Sequence, residues 1–219
     1  MKFQSYFFGD KDADMILLQM IGDHDMDLLE REVSGIRGLC PGKDFCIQAV
    51  KVKDWNHDLS PWPSPAVFGK EDFAGKAEET LHIILDEILP GIIRKDKMSK
   101  QELIIGGYSL AGLFALWSSY QTDCFEGVAA ASPSIWYPHF TDYMKKNSLH
   151  ARTIYLSLGD REERTRNPIM ATVGDAIRQG HMILKDSGAD CILEWNKGNH
   201  FKDSDLRMAR AFAWVMSRL

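Results

Sequence analysis

The sequence predicts a single α/β domain, residues 1–219, built on a mostly parallel sheet with helices on both faces. Short apolar runs rich in β-branched residues alternate along the chain with segments of helical spacing. The length of 219 residues and the hydrophobic content of 45% suit one domain with a full core. No repeat or low-complexity tract interrupts the alternation. Parallel strands joined by helices are therefore expected throughout.

The apolar periodicity places seven strands and five helices. The strands are predicted at residues 3–8, 15–21, 45–52, 103–105, 127–131, 153–158 and 190–195. The helices are predicted at residues 23–36, 76–94, 110–117, 168–187 and 204–219. Ser204 is the expected cap of the last helix. Residues 54–75, which hold three prolines, form the one long irregular stretch, and long loops in compact domains are often functional.

Charge and composition narrow the classes of partner. The net charge of −5 argues against nucleic acid and against an anionic membrane surface. The first residues lack the apolar core of a signal peptide, and no apolar run reaches the length of a membrane span. We therefore expect no nucleic-acid or membrane partner and a cytoplasmic location. The sequence does not specify the oligomeric state.

A serine stands where a predicted strand meets a predicted helix. The segment reads Gly106-Gly-Tyr-Ser109-Leu-Ala-Gly112, with small residues on both sides of the serine. A strand, a tight turn holding a serine and a helix make a nucleophile elbow, in which the hydroxyl projects above the edge of the sheet. The N–H groups at the start of the helix can stabilise a developing negative charge beside it. Ser109 is therefore the predicted nucleophile.

The elbow and three further segments give the chain a family resemblance. The further segments are residues 130–136 (AASPSIW), 155–162 (YLSLGDRE) and 198–201 (GNHF). With them the chain, from about Met15 onward, resembles the α/β-hydrolase superfamily, and within it the esterase group of esterase D-like enzymes and enterochelin-type siderophore esterases. The resemblance implies the α/β-hydrolase fold, a small-molecule ester substrate, and a serine esterase mechanism with no cofactor and no metal.

The predicted base is His200, in the loop after the last strand, because such a loop lies over the same rim of the sheet as Ser109. The family pattern Gly-x-x-acid after the preceding strand selects Glu162 as the acid that orients His200. Asp160 and Glu163 remain alternatives, and some enzymes of this kind work with little help from an acid. The predicted chain order of nucleophile, acid and histidine is that of the fold.

Backbone amides and aromatic side chains complete the predicted site. The N–H of Leu110 follows the nucleophile, and the N–H of Asp23 follows an early strand, so both are candidate oxyanion donors. Four aromatic residues are candidates for substrate binding, although they equally suit pinning the irregular loop to the domain: Trp55, Trp62, Trp136 and Tyr137. No large insertion separates Ala131 from Thr153, so we expect an open pocket without a lid.

Three other functions share parts of this pattern. An acyltransferase would use the same residues and differ only in the acceptor. A metal-dependent phosphoesterase is suggested by the segments Gly22-Asp-His24 and Gly198-Asn-His200, but an acidic residue is missing at Phe201 and the segments lie far apart. A non-catalytic binding module of the same fold is also open, because fold does not fix function.

Overall fold

The structure is a computed structural model that describes residues 3–93 and 101–219. Nine strands form within these residues: β1 (Gln4–Phe8), β2 (Met15–Ile21), β3 (Phe45–Lys51), β4 (Pro63–Ser64), β5 (Phe73–Ala74), β6 (Glu102–Tyr108), β7 (Gly127–Ala131), β8 (Thr153–Gly159) and β9 (Asp190–Asn196). Seven of them form one sheet in the order β1-β3-β2-β6-β7-β8-β9, and β4 pairs with β5.

The large sheet is parallel except at one edge. β1 runs antiparallel to β3, and every other neighbouring pair is parallel. β2 is buried along its whole length, and its residues alternate between two core clusters on opposite faces, as Ile16 and Leu17 illustrate. A strand covered on both faces explains why the sequence of β2 is continuously apolar. The predicted fold class, α/β with a mostly parallel sheet, is confirmed.

Eight helices in the described ranges cover the sheet: α1 (Leu29–Leu39), α2 (Trp55–Asp58), α3 (Ala77–Ile83), α4 (Leu89–Ile92), α5 (Leu110–Ser118), α6 (Phe140–Lys146), α7 (Val173–Asp186) and α8 (Ser204–Met216). Apolar residues of α1 and α8 pack into the cluster on one face, and those of α3 to α7 into the cluster on the other. Between β7 and β8 the chain forms only the short helix α6, so no lid insertion is present.

Several helix predictions differ from the structure in detail. The segment predicted as one helix at 23–36 opens with a 3₁₀ helix, Asp23–Leu28, before α1. The predicted helix 76–94 is α3 and α4 joined through a π-helical turn, Ile84–Ile88, and Arg94 lies outside the described residues. Residues 54–75 are less irregular than expected, since they form α2, β4 and β5.

The predicted cap of the last helix was wrong. α8 begins at Ser204, and the preceding residue, Asp203, is the N-cap with a left-handed backbone (φ 53°) and no side-chain capping bond. A cap lies before the first helical residue, so Ser204 is one position too late for this role. The start of α8 is set by the sharp turn at Asp203, which the apolar pattern does not reveal.

The parallel sheet brings six connections to one rim. The segments that follow β2, β3, β6, β7, β8 and β9 all leave from the carboxyl edge of the sheet, where ligand sites of open α/β folds lie. All the residues proposed for catalysis from the sequence belong to these segments. No helix in the described part of the chain combines the length and the apolar character needed to cross a membrane.

A buried carboxyl group on α1 makes folding sensitive to pH. Glu32 is buried beside β2, where Gln19 Nε2 donates to Glu32 Oε2 at 3.2 Å. Burial, with the nearby Asp25 and Asp205 carboxylates, raises the pKa of Glu32 to about 8 against the opposing hydrogen bond from Gln19. The group is therefore protonated in the folded chain at pH values where it is ionised in the unfolded chain.

We predict that Glu32→Gln removes this pH dependence. The raised pKa of Glu32 stabilises the folded state below the ordinary glutamate pKa, and this contribution is lost as pH rises through about 8. The variant should become more stable than the native chain by an amount that grows by roughly 3 kcal/mol from pH 5 to pH 8. Urea unfolding at both pH values measures the difference. The exposed Glu30→Gln is the control, and an equal pH slope in both variants would contradict the assignment.

Candidate active site

Ser109 stands at a tight turn between β6 and α5 with a backbone conformation that is unfavourable for a side chain. Its φ is 58° and its ψ is −120°. A Cβ on Gly107 would lie 2.5 Å from the carbonyl carbon of Ala111, and one on Gly112 would lie 2.8 Å from the carbonyl oxygen of Gly107. Strand and helix therefore approach so closely that neither position accepts a side chain. The flanking glycines in the sequence follow from this contact.

The turn at Ser109 is fixed from the neighbouring strand and loop. Its N–H donates to the carbonyl oxygen of Ala131 at 3.1 Å, and its own carbonyl oxygen accepts from the N–H of Ser134 at 2.9 Å. The Ser134 hydroxyl also lies 3.3 Å from Ser109 Oγ. These contacts hold the strained residue in place, as is common where backbone strain serves a site.

His200 lies within hydrogen-bond distance of the serine. Its Nε2 is 3.0 Å from Ser109 Oγ. The loop between β9 and α8 that carries it turns at Gly198, whose φ of 117° favours glycine. The Tyr108 hydroxyl donates to the carbonyl oxygen of His200 at 2.6 Å, so the backbone of the histidine is anchored to the end of β6.

Glu162 occupies the other side of the imidazole. Its Oε2 lies 2.7 Å from His200 Nδ1. Its Oε1 accepts from Gly159 N–H at 2.7 Å, from Ser132 Oγ at 2.8 Å and from Arg207 at 2.8 Å. One carboxylate oxygen is thus held by three donors, and the other is left to the histidine.

The electrostatics of this carboxylate favour its ionised form. Burial alone would raise the pKa of Glu162, but the hydrogen bond and charge of His200, with the bonds from Ser132 and Gly159, bring that pKa below its ordinary value. An ionised Glu162 accepts a hydrogen bond from Nδ1–H, which leaves the Nε2 lone pair directed at Ser109. This arrangement gives the imidazole the tautomer that a general base requires.

The two alternative acids have different partners. Asp160 Oδ1 accepts from the N–H of Gly198 at 2.8 Å, so this carboxylate braces the histidine loop. Glu163 forms an ion pair with Arg178 of α7 at 3.4 Å. The structure therefore brings Glu162 to His200 and places Asp160 and Glu163 elsewhere.

Each of the two candidate oxyanion donors is the first residue of a helix, and these two helices follow adjacent strands of the sheet. Leu110 is the first residue of α5, and Asp23 is the first residue of the 3₁₀ helix that follows β2. First-turn N–H groups have no acceptor within their own helix, so both are available to a ligand. The neighbouring N–H of Gly22 is already bound to Asp25 Oδ2 at 2.8 Å. The role of both donors stays a prediction.

The four candidate aromatics lie in two settings. The Trp62 indole donates to the carbonyl oxygen of Pro138 at 3.1 Å, and the Tyr137 hydroxyl donates to the carbonyl oxygen of Trp62 at 2.5 Å, so this pair fastens the proline-containing loop to the segment before α6. Trp55 contacts His24 edge to face at 4.9 Å, beside Gly22. Trp136 is buried and packs near Phe73. A substrate contact of these residues stays a prediction.

Trp136 and Tyr137 also line a cavity of about 810 Å³ between α6 and α7. Ser109, Glu162 and His200 are all absent from the lining of that cavity. Its size therefore says nothing about the chemistry at the serine.

The sequence pattern does not predict the positions of Arg207 and Tyr108 around this centre, and it shows Phe201 only as the residue that follows the predicted base. Arg207 and Tyr108 contact the acid and the histidine segment, and Phe201 is 88% exposed directly after His200. An arginine inside an amphipathic helix carries no local signal of such a contact. Phe201, in contrast, was visible as an apolar residue beside the predicted base.

The metal alternative rested on segments that the structure does not combine into a ligand cluster. Across residues 3–93 and 101–219, one group of three potential ligands has its atoms within 4.8 Å of one another, namely Asp54, His57 and Glu71. None of these residues belongs to the segments 22–24 or 198–200. Asp54 and His57 already bind each other, with Oδ2 and Nδ1 2.8 Å apart.

The parallel sheet with helices on both faces, together with the structural likeness described below, shows that the chain has the α/β-hydrolase fold. No protein-family model matches the sequence. The chain is similar to the uncharacterized protein YbbA of Bacillus subtilis (strain 168), with 25% identity over 172 residues that cover 74% of this chain and 69% of YbbA.

Several solved structures with this fold are named hydrolases or esterases. An IroE-like serine hydrolase from Shewanella oneidensis superposes with a TM-score of 0.77 at 14% identity, over 98% of this chain and 80% of that one. The enterobactin esterase FES from Shigella flexneri, in the presence of enterobactin, gives a TM-score of 0.70 at 17% identity and covers 99% of this chain. This chain spans 55% of that protein. These neighbours match the esterase group that the sequence resembles.

We predict that the two nearby acids respond differently to loss of charge. Glu162→Gln leaves the imidazole without the partner that fixes its tautomer, so kcat for an activated ester should fall by about 10⁴-fold. Asp160→Asn keeps an oxygen that can accept from the N–H of Gly198, so its kcat should fall by less than about fivefold. Steady-state kinetics on variants checked by circular dichroism measure both. A small loss in both variants would mean that Ser109 and His200 act as a dyad.

Proposed function

We propose that this protein is a serine hydrolase that cleaves a carboxylic ester of a small molecule through a Ser109–His200–Glu162 triad. The single observation that carries the proposal is the hydrogen-bond chain at the elbow. It runs from Ser109 Oγ to His200 Nε2 at 3.0 Å and from His200 Nδ1 to Glu162 Oε2 at 2.7 Å. A nucleophile, a base and an orienting acid at these distances are the geometric signature of acyl transfer.

The first half of the reaction transfers the acyl group to the enzyme. Ser109 Oγ attacks the ester carbonyl while His200 Nε2 takes the hydroxyl proton, and Glu162 stabilises the resulting imidazolium. The carbonyl oxygen becomes an oxyanion that accepts from the N–H groups of Leu110 and Asp23. When the tetrahedral intermediate collapses, the bond to the leaving alkoxide breaks and His200 returns the proton to it.

The second half repeats these steps with water. His200 takes a proton from a water molecule, whose oxygen attacks the acyl carbon, and the bond to Ser109 Oγ then breaks. The proton returns to Ser109, and the carboxylic acid leaves. All proton transfers in this scheme pass through groups of the chain itself, so the proposed reaction calls for neither a metal nor a cofactor.

The rim of the proposed site favours an ester with an apolar or aromatic group. Phe201 extends from the histidine loop into solvent, and its ring meets the His200 imidazole edge to face at 5.4 Å. An exposed aromatic side chain buries apolar surface only when a ligand covers it. The neighbour named as an enterobactin esterase supports a small-molecule ester, while the natural substrate of this chain stays open.

The central prediction concerns Ser109. Ser109→Ala removes the attacking oxygen, so hydrolysis of p-nitrophenyl esters should fall by about 10³-fold or more with the fold intact. A fluorophosphonate should form an adduct on Ser109 that mass spectrometry locates. Ser217→Ala, outside the site, is the control for both assays.

Two results would overturn the proposed function. An adduct on a different serine, or full turnover by Ser109→Ala, would remove the nucleophile. Loss of activity on chelation, restored by a divalent metal, would favour the phosphoesterase alternative. A folded chain that neither labels nor hydrolyses any ester would favour the binding module.

A further prediction concerns Phe201. Phe201→Ala should raise KM for aromatic or long-chain esters by about tenfold and leave the KM for acetate esters within about twofold, because only the larger groups reach the ring. A graded series of p-nitrophenyl esters measures this dependence. Leu206→Ala, which also removes an exposed apolar side chain near the start of α8, is the control. A uniform change across the series would assign Phe201 to structure.

A further inference from the structure

We propose that Arg207 of α8 is a positioning residue that fixes both the orientation and the charge of the Glu162–His200 pair. This inference rests on the proposed function of that pair. Arg207 binds the acid and the histidine loop, and it would act on Ser109 only through them.

Arg207 is a buried cation. Its side chain is 1% exposed, which is rare for a charged group in a protein interior. A buried guanidinium is tolerated only when it is paired and its N–H groups are bound. Four acceptors around the proposed triad bind the two terminal nitrogens of Arg207.

One nitrogen of the Arg207 guanidinium has three acceptors. Nη1 lies 2.8 Å from Glu162 Oε1, 3.0 Å from Ser132 Oγ and 3.1 Å from the Tyr108 hydroxyl. Together with Ser132 and the N–H of Gly159, it occupies Oε1 of the carboxylate. The carboxylate cannot rotate without breaking these bonds, so Oε2 stays directed at His200.

The same guanidinium reaches the histidine loop. Its Nη2 donates to the carbonyl oxygen of Asn199 at 2.9 Å. The Tyr108 hydroxyl, which contacts Nη1, donates in turn to the carbonyl oxygen of His200. Arg207 therefore ties the loop that carries the acid to the loop that carries the base, and it does so from one rigid helix.

The charge of Arg207 has a separate effect on the triad. Two titratable groups contact Arg207 directly, namely Glu162 from the loop after β8 and Tyr108 from the end of β6. His200 is linked to Arg207 indirectly, because the Tyr108 hydroxyl donates to the carbonyl oxygen of His200. A fixed positive charge beside the carboxylate makes addition of a proton to the Glu162–His200 pair less favourable. Without that charge, the pair should hold its proton to a higher pH.

Geometry and charge can be separated with two substitutions. Arg207→Met removes both, whereas Arg207→Lys keeps the charge and loses the planar fork that reaches several acceptors at once. Arg210→Met is the matched control, because Arg210 lies on the same helix and binds Glu194 and Asn196 away from the triad. Steady-state kinetics over pH 5 to 9 give kcat, KM and the midpoint of the acidic limb for each variant.

We expect Arg207→Met to lower kcat by about 10²-fold, to leave KM within about threefold and to raise the midpoint of the acidic limb by about one pH unit. Arg207→Lys should lower kcat by about tenfold with the midpoint unchanged, and Arg210→Met should match the native chain. When Arg207→Met is added to Glu162→Gln, kcat should fall by less than about a further threefold, because both substitutions disturb the same side chain at position 162. Removing both charges also leaves no unpaired buried ion.

Several outcomes would overturn the inference. They are a native midpoint of the acidic limb in Arg207→Met, an equal loss of kcat in Arg210→Met, and a full additional loss of kcat when Arg207→Met is added to Glu162→Gln.

If Arg207→Met does not fold, the kinetics of Arg207→Lys and of the double variant test the inference. A native kcat in Arg207→Lys, or the full additional loss in the double variant, would then count against Arg207. An NMR titration of the His200 imidazole, in the native chain and in folded Arg207→Lys, follows protonation without turnover. A large difference between the two titration midpoints would also contradict the proposed effect of the charge. A native chain that is inert toward esters while Ser109 stays unlabelled would instead overturn the proposed function.

Discussion

The close approach of β6 and α5 at Ser109 is the constraint on which the site depends. The turn forces a left-handed backbone onto a residue that carries a side chain, and it leaves no room for a Cβ at Gly107 or Gly112. Conformations of this kind cost about 1–3 kcal/mol and persist only where the surroundings over-determine them. Here the surroundings are hydrogen bonds from Ser109 to Ala131 and from Ser134 to Ser109, so the loop after β7 supports the turn as much as β6 and α5 do.

The parallel direction of the strands brings the acid and the histidine to the serine, and a side chain of α8 binds the loops that carry them. Parallel strands deliver the acid after β8 and the histidine after β9 to the rim where the serine stands. Neither loop is regular, and each is fixed by side chains of its neighbours. Asp160 binds the N–H of Gly198, and Arg207 binds both Glu162 and the carbonyl oxygen of Asn199. The packed core thus sets coarse positions, and buried polar contacts set the distances between reacting atoms.

The sequence revealed those features that depend on residues close together along the chain. Apolar runs located the strands, and the glycines around Ser109 located the elbow, because both patterns are local. The start of α8 was misplaced, since the left-handed turn at Asp203 has no signature in the apolar pattern. Arg207 was invisible for a different reason, because its partner Glu162 lies 45 positions away and only the folded sheet brings them together. The choice of Glu162 over Asp160 came from family spacing, and in the structure Glu162 Oε2 lies 2.7 Å from His200 Nδ1.

The short connection between β7 and β8 bears on the fate of an acyl group on Ser109. Residues 132–152 form only α6 and irregular chain, and the His200 side chain keeps 27% of its surface in contact with solvent. Water would therefore reach the acyl carbon and the imidazole together, without a binding step. A competing alcohol or amine would have to be held at the rim tightly enough to displace that water. Excluding water from a closed site is one way in which enzymes prevent hydrolysis of a reactive intermediate. In the proposed mechanism, the open rim would therefore favour release of the free acid.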